Sequence, residues 1–347
     1  MSNHSIVVFL NNYSYFQRDK INGPKSLIYL LGLLSNSNVE IILILKNKSH
    51  QKIPSSSEFP FQCKIHASSF FSNLKNVNEC SLIISDRANV IKGIFFSIFF
   101  NKKHVLRLLG MGRRLKSKSL FSYKNLLYLL TLIKPINLLI ATNDGSSYGN
   151  FPFLKSKKEL FRINGVESIS LNIKDDKDFS KFVFLGRNAE EKGLVDAINY
   201  FSLVSEEIKN AKLIVIGIDE EEGSHICLRL KLNDLKEKIE FKGYIFDDEK
   251  YEIISESKWM ISGNKLGCLG NSEIECLSLG LRIIYLYEEN IKYLPKKFLP
   301  YFESKKSFID NVRKDSRFKL LENVIVDNFY DIHTKDAKEI LSFLMKK

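Results

Sequence analysis

Apolar runs that do not alternate with polar residues constrain this chain more than any other feature. They occur at residues 5–10, 39–45, 80–85, 105–109 and 138–142. A strand with one face in water alternates, whereas an unbroken apolar strand is buried on both faces. That is the habit of a parallel sheet covered by helices. Helical spacing appears between the runs, at 26–34 after Gly23-Pro24 and at 88–99. A polar, turn-rich stretch, NGVESISLNIKDDKDFS, then interrupts the pattern at 164–180. Beyond it the alternation restarts. Strands are predicted at 182–185, 212–216, 239–241, 259–262 and 282–286, with helices at 194–207, 226–235, 248–257 and 272–279. A chain of 347 residues exceeds one ordinary core. The reading is an α/β chain with two doubly wound domains in tandem and a cleft between them. Residues 1–170 form the first domain and 171–330 the second. Residues 331–347 hold an amphipathic helix, capped by Thr334, that packs back toward the first domain.

Charge divides the halves. Residues 1–170 carry 23 Lys and Arg against 8 Asp and Glu, and residues 171–347 carry 29 against 32. Between Lys102 and Lys134 nine cations face no acid. Such a run is a solvated face, a nucleic-acid contact or a contact with an anionic membrane. Here Lys and Arg mix with Leu, Phe and Tyr at helical spacing (RRLKSKSLFSYKNLLYLLTLIK), which favours a membrane surface over nucleic acid. No nucleic-acid motif is visible. No apolar run reaches the roughly 18 residues that span a bilayer. The opening MSNHSIVVFL reads as a first strand rather than a signal peptide. Five cysteines without a C-x-x-C predict free thiols in a reducing cytoplasm. Six scattered histidines, with no H-E-x-x-H, predict no metal site. The lone tryptophan, Trp259, reads as core.

Two segments carry candidate chemistry. In KFVFLGRNAEEKG, a strand ends at Gly186-Arg187 and a helix opens after Lys192-Gly193. Two cations therefore stand at the carboxyl end of a strand beside a helix N-terminus, a place that favours anions. In GNKLGCLGNSEIECLSLGLR, Gly263, Gly267 and Gly270 precede a helix that starts near Ser272. Glycines let backbone amides approach an anion or sugar hydroxyls closely. Glu275 has two readings: it accepts hydrogen bonds from a vicinal diol, or it closes a capping box with Ser272.

Taken in order, these segments resemble the retaining glycosyltransferases of family 4, which have the GT-B architecture of two Rossmann-like doubly wound domains facing a central cleft. Phe161 to Glu167 (FRINGVE) is similar to the family's P-N-G-V-D segment, with Ile163 at the proline. Phe184 to Arg187 with Glu191 to Gly193 resembles its GR…KG segment, and Lys212 to Gly217 the strand that follows. Phe241 to Tyr244 looks like the strand end beside the nucleotide base, and Glu275 to Gly280 (ECLSLG) like the E-A-x-A-x-G helix.

The resemblance implies transfer of a sugar from a nucleoside-diphosphate donor, a UDP- or GDP-sugar, to a glycan or lipid-linked acceptor. It suits bacterial surface-polysaccharide assembly, such as lipopolysaccharide or capsule, in the cytoplasm or peripherally at the inner face of the membrane. Arg187 and Lys192 would bind the diphosphate and stabilise its departure without a metal or other cofactor. Glu275 would hold the ribose, and Tyr244 would lie near the base. Gly23, Gly186, Gly267, Gly270, Asn271 and Ser272 would line the donor. Two departures stand out. Gly267 occupies the place of the family's sugar-touching Glu, and Leu109-Gly110 that of its N-domain histidine. Altered donor choice or lost activity would each account for them. A non-catalytic binding partner is thus the second reading, and a basic nucleic-acid-binding protein the third.

Overall fold

The computed structural model describes residues 4–10, 25–45, 55–67, 74–86, 89–108, 129–142, 154–162, 177–188, 190–245, 247–265, 269–287, 296–314 and 331–345. The chain divides into two units. One contains residues 1–143, 147–167 and 330–347, and the other residues 144–146 and 168–329.

The first unit is a seven-stranded parallel sheet. Its strands are β1 (Ser5–Leu10), β2 (Glu40–Leu45), β3 (Cys63–Ala67), β4 (Leu82–Asp86), β5 (Lys103–Leu108), β6 (Leu138–Thr142) and β7 (Glu159–Arg162). They lie in the order β3-β2-β1-β4-β5-β6-β7. The order reverses direction between β1 and β4, the switch point of a doubly wound sheet. Helices α1 (Lys25–Asn36), α2 (Leu74–Glu79), α3 (Val90–Phe99) and α4 (Leu130–Ile133) join the strands. β1 and β6 are buried along their whole length, as an unbroken apolar strand demands. One face of the sheet packs on α1 and on the C-terminal helix Asp331–Met345, through Leu27, Leu31, Val105, Ile340 and Leu344. The other face packs on α3 through Ile94, Leu106 and Leu108.

Polar contacts fix the C-terminal helix along β5 and β7. Lys103 Nζ donates to the Phe343 carbonyl at 2.7 Å, Lys158 pairs with Glu339 at 2.6 Å, and Arg162 pairs with Asp336 at 2.9 Å. Asp336 also faces the buried Arg107 of β5. Burial pulls the Arg107 guanidinium down to about 10 and pushes the Asp336 carboxyl up, while each charge offsets the other's loss of water. The helix opens at Asp331, so Thr334 lies inside its first turn and is not its cap.

The second unit holds six parallel strands in the order β10-β9-β8-β11-β12-β13. They are β8 (Asp178–Leu185), β9 (Lys212–Ile216), β10 (Ile239–Phe241), β11 (Ser257–Ser262), β12 (Arg282–Tyr285) and β13 (Phe302–Ser304). Helices α5 (Leu194–Glu207), α6 (Glu220–Arg229), α7 (Asp247–Glu256), α8 (Asn271–Ser278) and α9 (Lys305–Lys314) join them. Here the switch point falls between β8 and β11. Trp259 is fully buried, edge-on to Phe308 at 4.8 Å and to Phe179 at 5.6 Å, so it belongs to the core as the sequence suggests.

Helix α6 starts six residues before its apolar spacing suggests. Asp219 caps it by accepting the Glu222 amide at 2.8 Å, and Glu220, Glu221 and Glu222 fill the first turn, where the helix dipole favours them.

Candidate functional site

Open parallel sheets bind ligands at the carboxyl ends of the strands, at the switch point. In the second unit that place is built from backbone. β8 runs out at Gly186, whose amide donates to the Ile216 carbonyl at 3.0 Å. A single 3-10 turn, Glu190–Lys192, leads to Gly193, the N-cap of α5, at φ +64°. A Cβ there would collide with the Gly263 carbonyl oxygen, and a Cβ on Gly263 with that of Gly193. The loops after β8 and β11 therefore touch main chain to main chain. Lys265 N–H adds a hydrogen bond to the Glu191 carbonyl at 2.9 Å. Neighbouring strand ends are tied in the same way. Gly217, at φ +101°, donates to the Gly243 carbonyl at 2.7 Å, and its missing side chain leaves room for the Gly186 carbonyl. Only glycine fits such positions without strain.

The two cations at this edge differ. Arg187 projects into solvent, with its guanidinium on the Glu191 carboxylate at 3.1 Å. A backbone amide, and then Arg187, hold the Glu191 carboxyl below the usual range. Lys192 is half-buried, with its stem alongside the side-chain-free Gly186, and its ammonium makes no ion pair among the described residues. It is thus a cation one residue before the N-cap of α5.

The second candidate segment is bound into the same edge. Asp196, in the first turn of α5, accepts from Lys265 Nζ at 2.8 Å and from the Tyr287 hydroxyl at 2.7 Å. Burial pushes its carboxyl up, but those two bonds more than compensate, and it stays below the ordinary range. Helix α8 begins at Asn271 with Gly270 as its N-cap. Gly270 and Ser272 are half-buried and Asn271 is exposed at this end.

The capping box between Ser272 and Glu275 does not form, because the cap lies two residues earlier than the sequence suggests. Glu275 instead meets Lys250 of α7, with Oε2 and Nζ 2.7 Å apart, and the ammonium lies 4.3 Å over the Tyr251 ring. Burial lowers the Lys250 ammonium, but Glu275 and Tyr251 outweigh it and leave its pKa raised. The buried Glu273 holds Ser262 Oγ at 2.6 Å and Asn264 Nδ2 at 3.3 Å through Oε1.

Tyr244, just past β10, is exposed. Arg187, Lys192, Gly186, Tyr244, Gly270, Asn271, Ser272 and Glu275 all belong to the carboxyl-side loops or helix starts of this one unit. Gly23 and Gly267 lie outside the described residues. Sequence reasoning missed Lys250 and Glu273. Glu273, two residues from Glu275, had the signal of an acid in the first turn of a helix. Lys250 had none, since it is 25 residues from its partner. Among the described residues no three His, Cys, Asp or Glu lie together as a metal-binding group.

Residues 167–291 match the family model of glycosyl transferases group 1. An uncharacterized glycosyltransferase of Methanocaldococcus jannaschii, MJ1059, is 30% identical over 112 residues, which is 31% of this chain. The match spans about a quarter, 26%, of that relative's own length. Among solved structures, Anabaena Alr3699/HepE in complex with UDP superposes with a TM-score of 0.65 at 12% identity, covering 99% of this chain and 100% of that one. The lipopolysaccharide outer core galactosyltransferase WaaB, in its apo form, superposes with a TM-score of 0.58 at 11% identity, covering 97% and 99%. The fold is therefore that of the GT-B glycosyltransferases, with two parallel-sheet α/β domains.

Proposed function

We propose that the chain is a retaining, nucleotide-sugar-dependent glycosyltransferase of family 4, acting in bacterial surface-polysaccharide assembly. The observation that carries this reading is Lys192. It is a half-buried cation with no ion pair among the described residues, next to the N-cap Gly193 where two glycine loops meet, inside the segment that matches the glycosyltransferase model. A departing nucleoside diphosphate develops negative charge, and an ammonium beside a helix N-terminus stabilises that charge. Arg187 joins it by exchanging Glu191 for a phosphate oxygen. Glu275, oriented by Lys250, accepts the ribose hydroxyls, and Tyr244 lies by the base. Amides at Gly270, Asn271 and Ser272 meet the sugar. The departing phosphate oxygen takes the acceptor proton, so no side-chain nucleophile is needed.

The UDP complex of the HepE relative supports a nucleotide donor, and WaaB supports a saccharide acceptor. A glycan or lipid-linked acceptor would place the chain at the cytoplasmic face of a membrane. The test is thermal denaturation against UDP, GDP and other nucleoside diphosphates. One of them raises the melting temperature, and Lys192→Ala removes that shift while changing intrinsic stability by no more than about 0.5 kcal/mol. A protein indifferent to every nucleotide refutes the reading. Binding without product from any nucleotide sugar would instead make it a non-catalytic partner of a true transferase.

A further inference from the structure

We infer that the groove between α5 and α9 of the second unit is an anchoring site for an acidic saccharide, one that carries a carboxylate or a phosphate. The groove has a volume of about 460 Å³, within the range of small-molecule sites. Helix α5 gives it Asp196, Asn199, Tyr200 and Leu203, whose spacing puts them on one helix face. Helix α9 gives it Lys305, Lys306 and Ile309, and Tyr287 closes it just past β12. Tyr200 fixes the two helices against each other, since its hydroxyl donates to the Lys305 carbonyl at 2.8 Å. Leu203, 53% exposed, presents an apolar side chain to solvent along the opening.

The charges of the groove do not balance. Asp196 is its one acid among the described residues, and Lys265 and the Tyr287 hydroxyl already hold it at 2.8 and 2.7 Å. Lys305 and Lys306 are exposed, and their ammoniums make no ion pair among the described residues. They open α9, where the helix dipole disfavours cations, and no acid stands in that turn to answer them. The helix end itself is capped from within, because the Ser307 amide donates to Ser304 Oγ at 3.0 Å. An anion would therefore meet the two ammoniums rather than the terminal amides. The rest of the lining suits a sugar. A pyranose turns C–H faces to apolar and aromatic groups, here Leu203, Ile309 and Tyr287, and hydroxyls to a group that both donates and accepts, here the exposed Asn199 amide. Asp196 and Tyr287 also hold Lys265, whose amide donates to the Glu191 carbonyl at 2.9 Å. A saccharide in the groove thus lies against the loop that carries Lys192. The inference rests on the proposed function for its purpose, a second hold on the glycan being built, and it names the chemical class of that glycan.

Titration calorimetry and saturation-transfer NMR on the full chain decide it, with a glucuronic acid–glucose disaccharide, neutral cellobiose and inorganic phosphate as probes. The acidic disaccharide should bind about tenfold or more tightly than cellobiose, and the difference should shrink as salt rises. Lys305→Ala with Lys306→Ala should bring it down to the level of cellobiose, and Lys306→Ala alone should remove part of the difference. Leu203→Asp should abolish binding of both saccharides. All these positions are exposed, and an unchanged melting temperature checks that the variants fold. None of them belongs to the donor edge, so the melting shift with a nucleoside diphosphate should persist in each. Nucleotide binding without saccharide binding overturns this inference and leaves the proposed function standing, and saccharide binding without nucleotide binding does the reverse. Cellobiose or inorganic phosphate binding as tightly as the acidic disaccharide overturns the inference too. So does acidic-saccharide binding that survives both the lysine and the leucine changes.

Discussion

The two sheets share one winding order but close their switch points in opposite ways. In the first unit the gap between β1 and β4 is closed by a side chain. Asn89, buried at the start of α3, donates from Nδ2 to the Phe9 carbonyl at 3.0 Å and to Asp86 Oδ1 at 3.0 Å. In the second unit the same topological gap, between β8 and β11, is closed by Gly193 against Gly263 with no side chain between. A carboxamide bridges the ends of β1 and β4. Paired glycines bring the second unit's loops together main chain to main chain. Identical winding is thus joined by a side chain in one unit and by bare backbone in the other.

Gly193→Ala attacks this difference with the largest expected effect. It puts a methyl group on a main-chain oxygen at a left-handed position, which should cost about 3 kcal/mol or more in the denaturant midpoint of the second unit. An alanine tolerated within about 0.5 kcal/mol would show that the loops do not depend on touching. Asn89→Ala is the matching change in the first unit. It strips the Phe9 carbonyl of its donor and should cost about 2 kcal/mol. Equal losses in both sheets would erase the contrast.

A smaller and graded effect separates the units by pH. His104 of β5 is buried against Ser85 Oγ at 2.7 Å. Burial, and then Lys134, pull its imidazole down from the usual 6.5 to about 3. The unfolded chain takes up a proton below about 6.5 that the folded chain refuses until about 3. The contribution to stability is therefore complete above that window. It declines as pH falls through it, by up to about 1.4 kcal/mol per pH unit. The described histidine of the second unit, His225, is exposed. Acid should loosen the first unit first, and His104→Gln should flatten the slope of melting temperature between pH 4 and 6, on the order of the window above. An unchanged slope would remove His104 from the account.

How legible this was in the sequence follows from what holds each part. β6, β9 and α5 match the sequence reading to the residue, because apolar runs, or Gly193 before a periodic stretch, mark their ends, and β10 matches although Glu240 breaks its run. β3, β7 and β13 escaped. All three are edge strands, short and interleaved with Lys64, His66, Glu159, Arg162 and Glu303, so they lack the buried run that betrays a central strand. In the site, Arg187, Lys192 and the glycines could be found because their signal is local, a strand end followed by a helix start. The Lys250–Glu275 pair and the Gly193–Gly263 contact could not, since each joins residues that only the folded sheet brings together.

The C-terminal helix has a consequence for synthesis. It supplies Ala337, Ile340 and Leu344 to the core of the unit that begins with β1, so that core stays incomplete until residues 331–345 leave the ribosome. The second unit, encoded between, has all its strands available earlier. The unit begun first is therefore finished after the other, and its sheet, completed at Arg162, waits, partly open, for a helix that starts at Asp331.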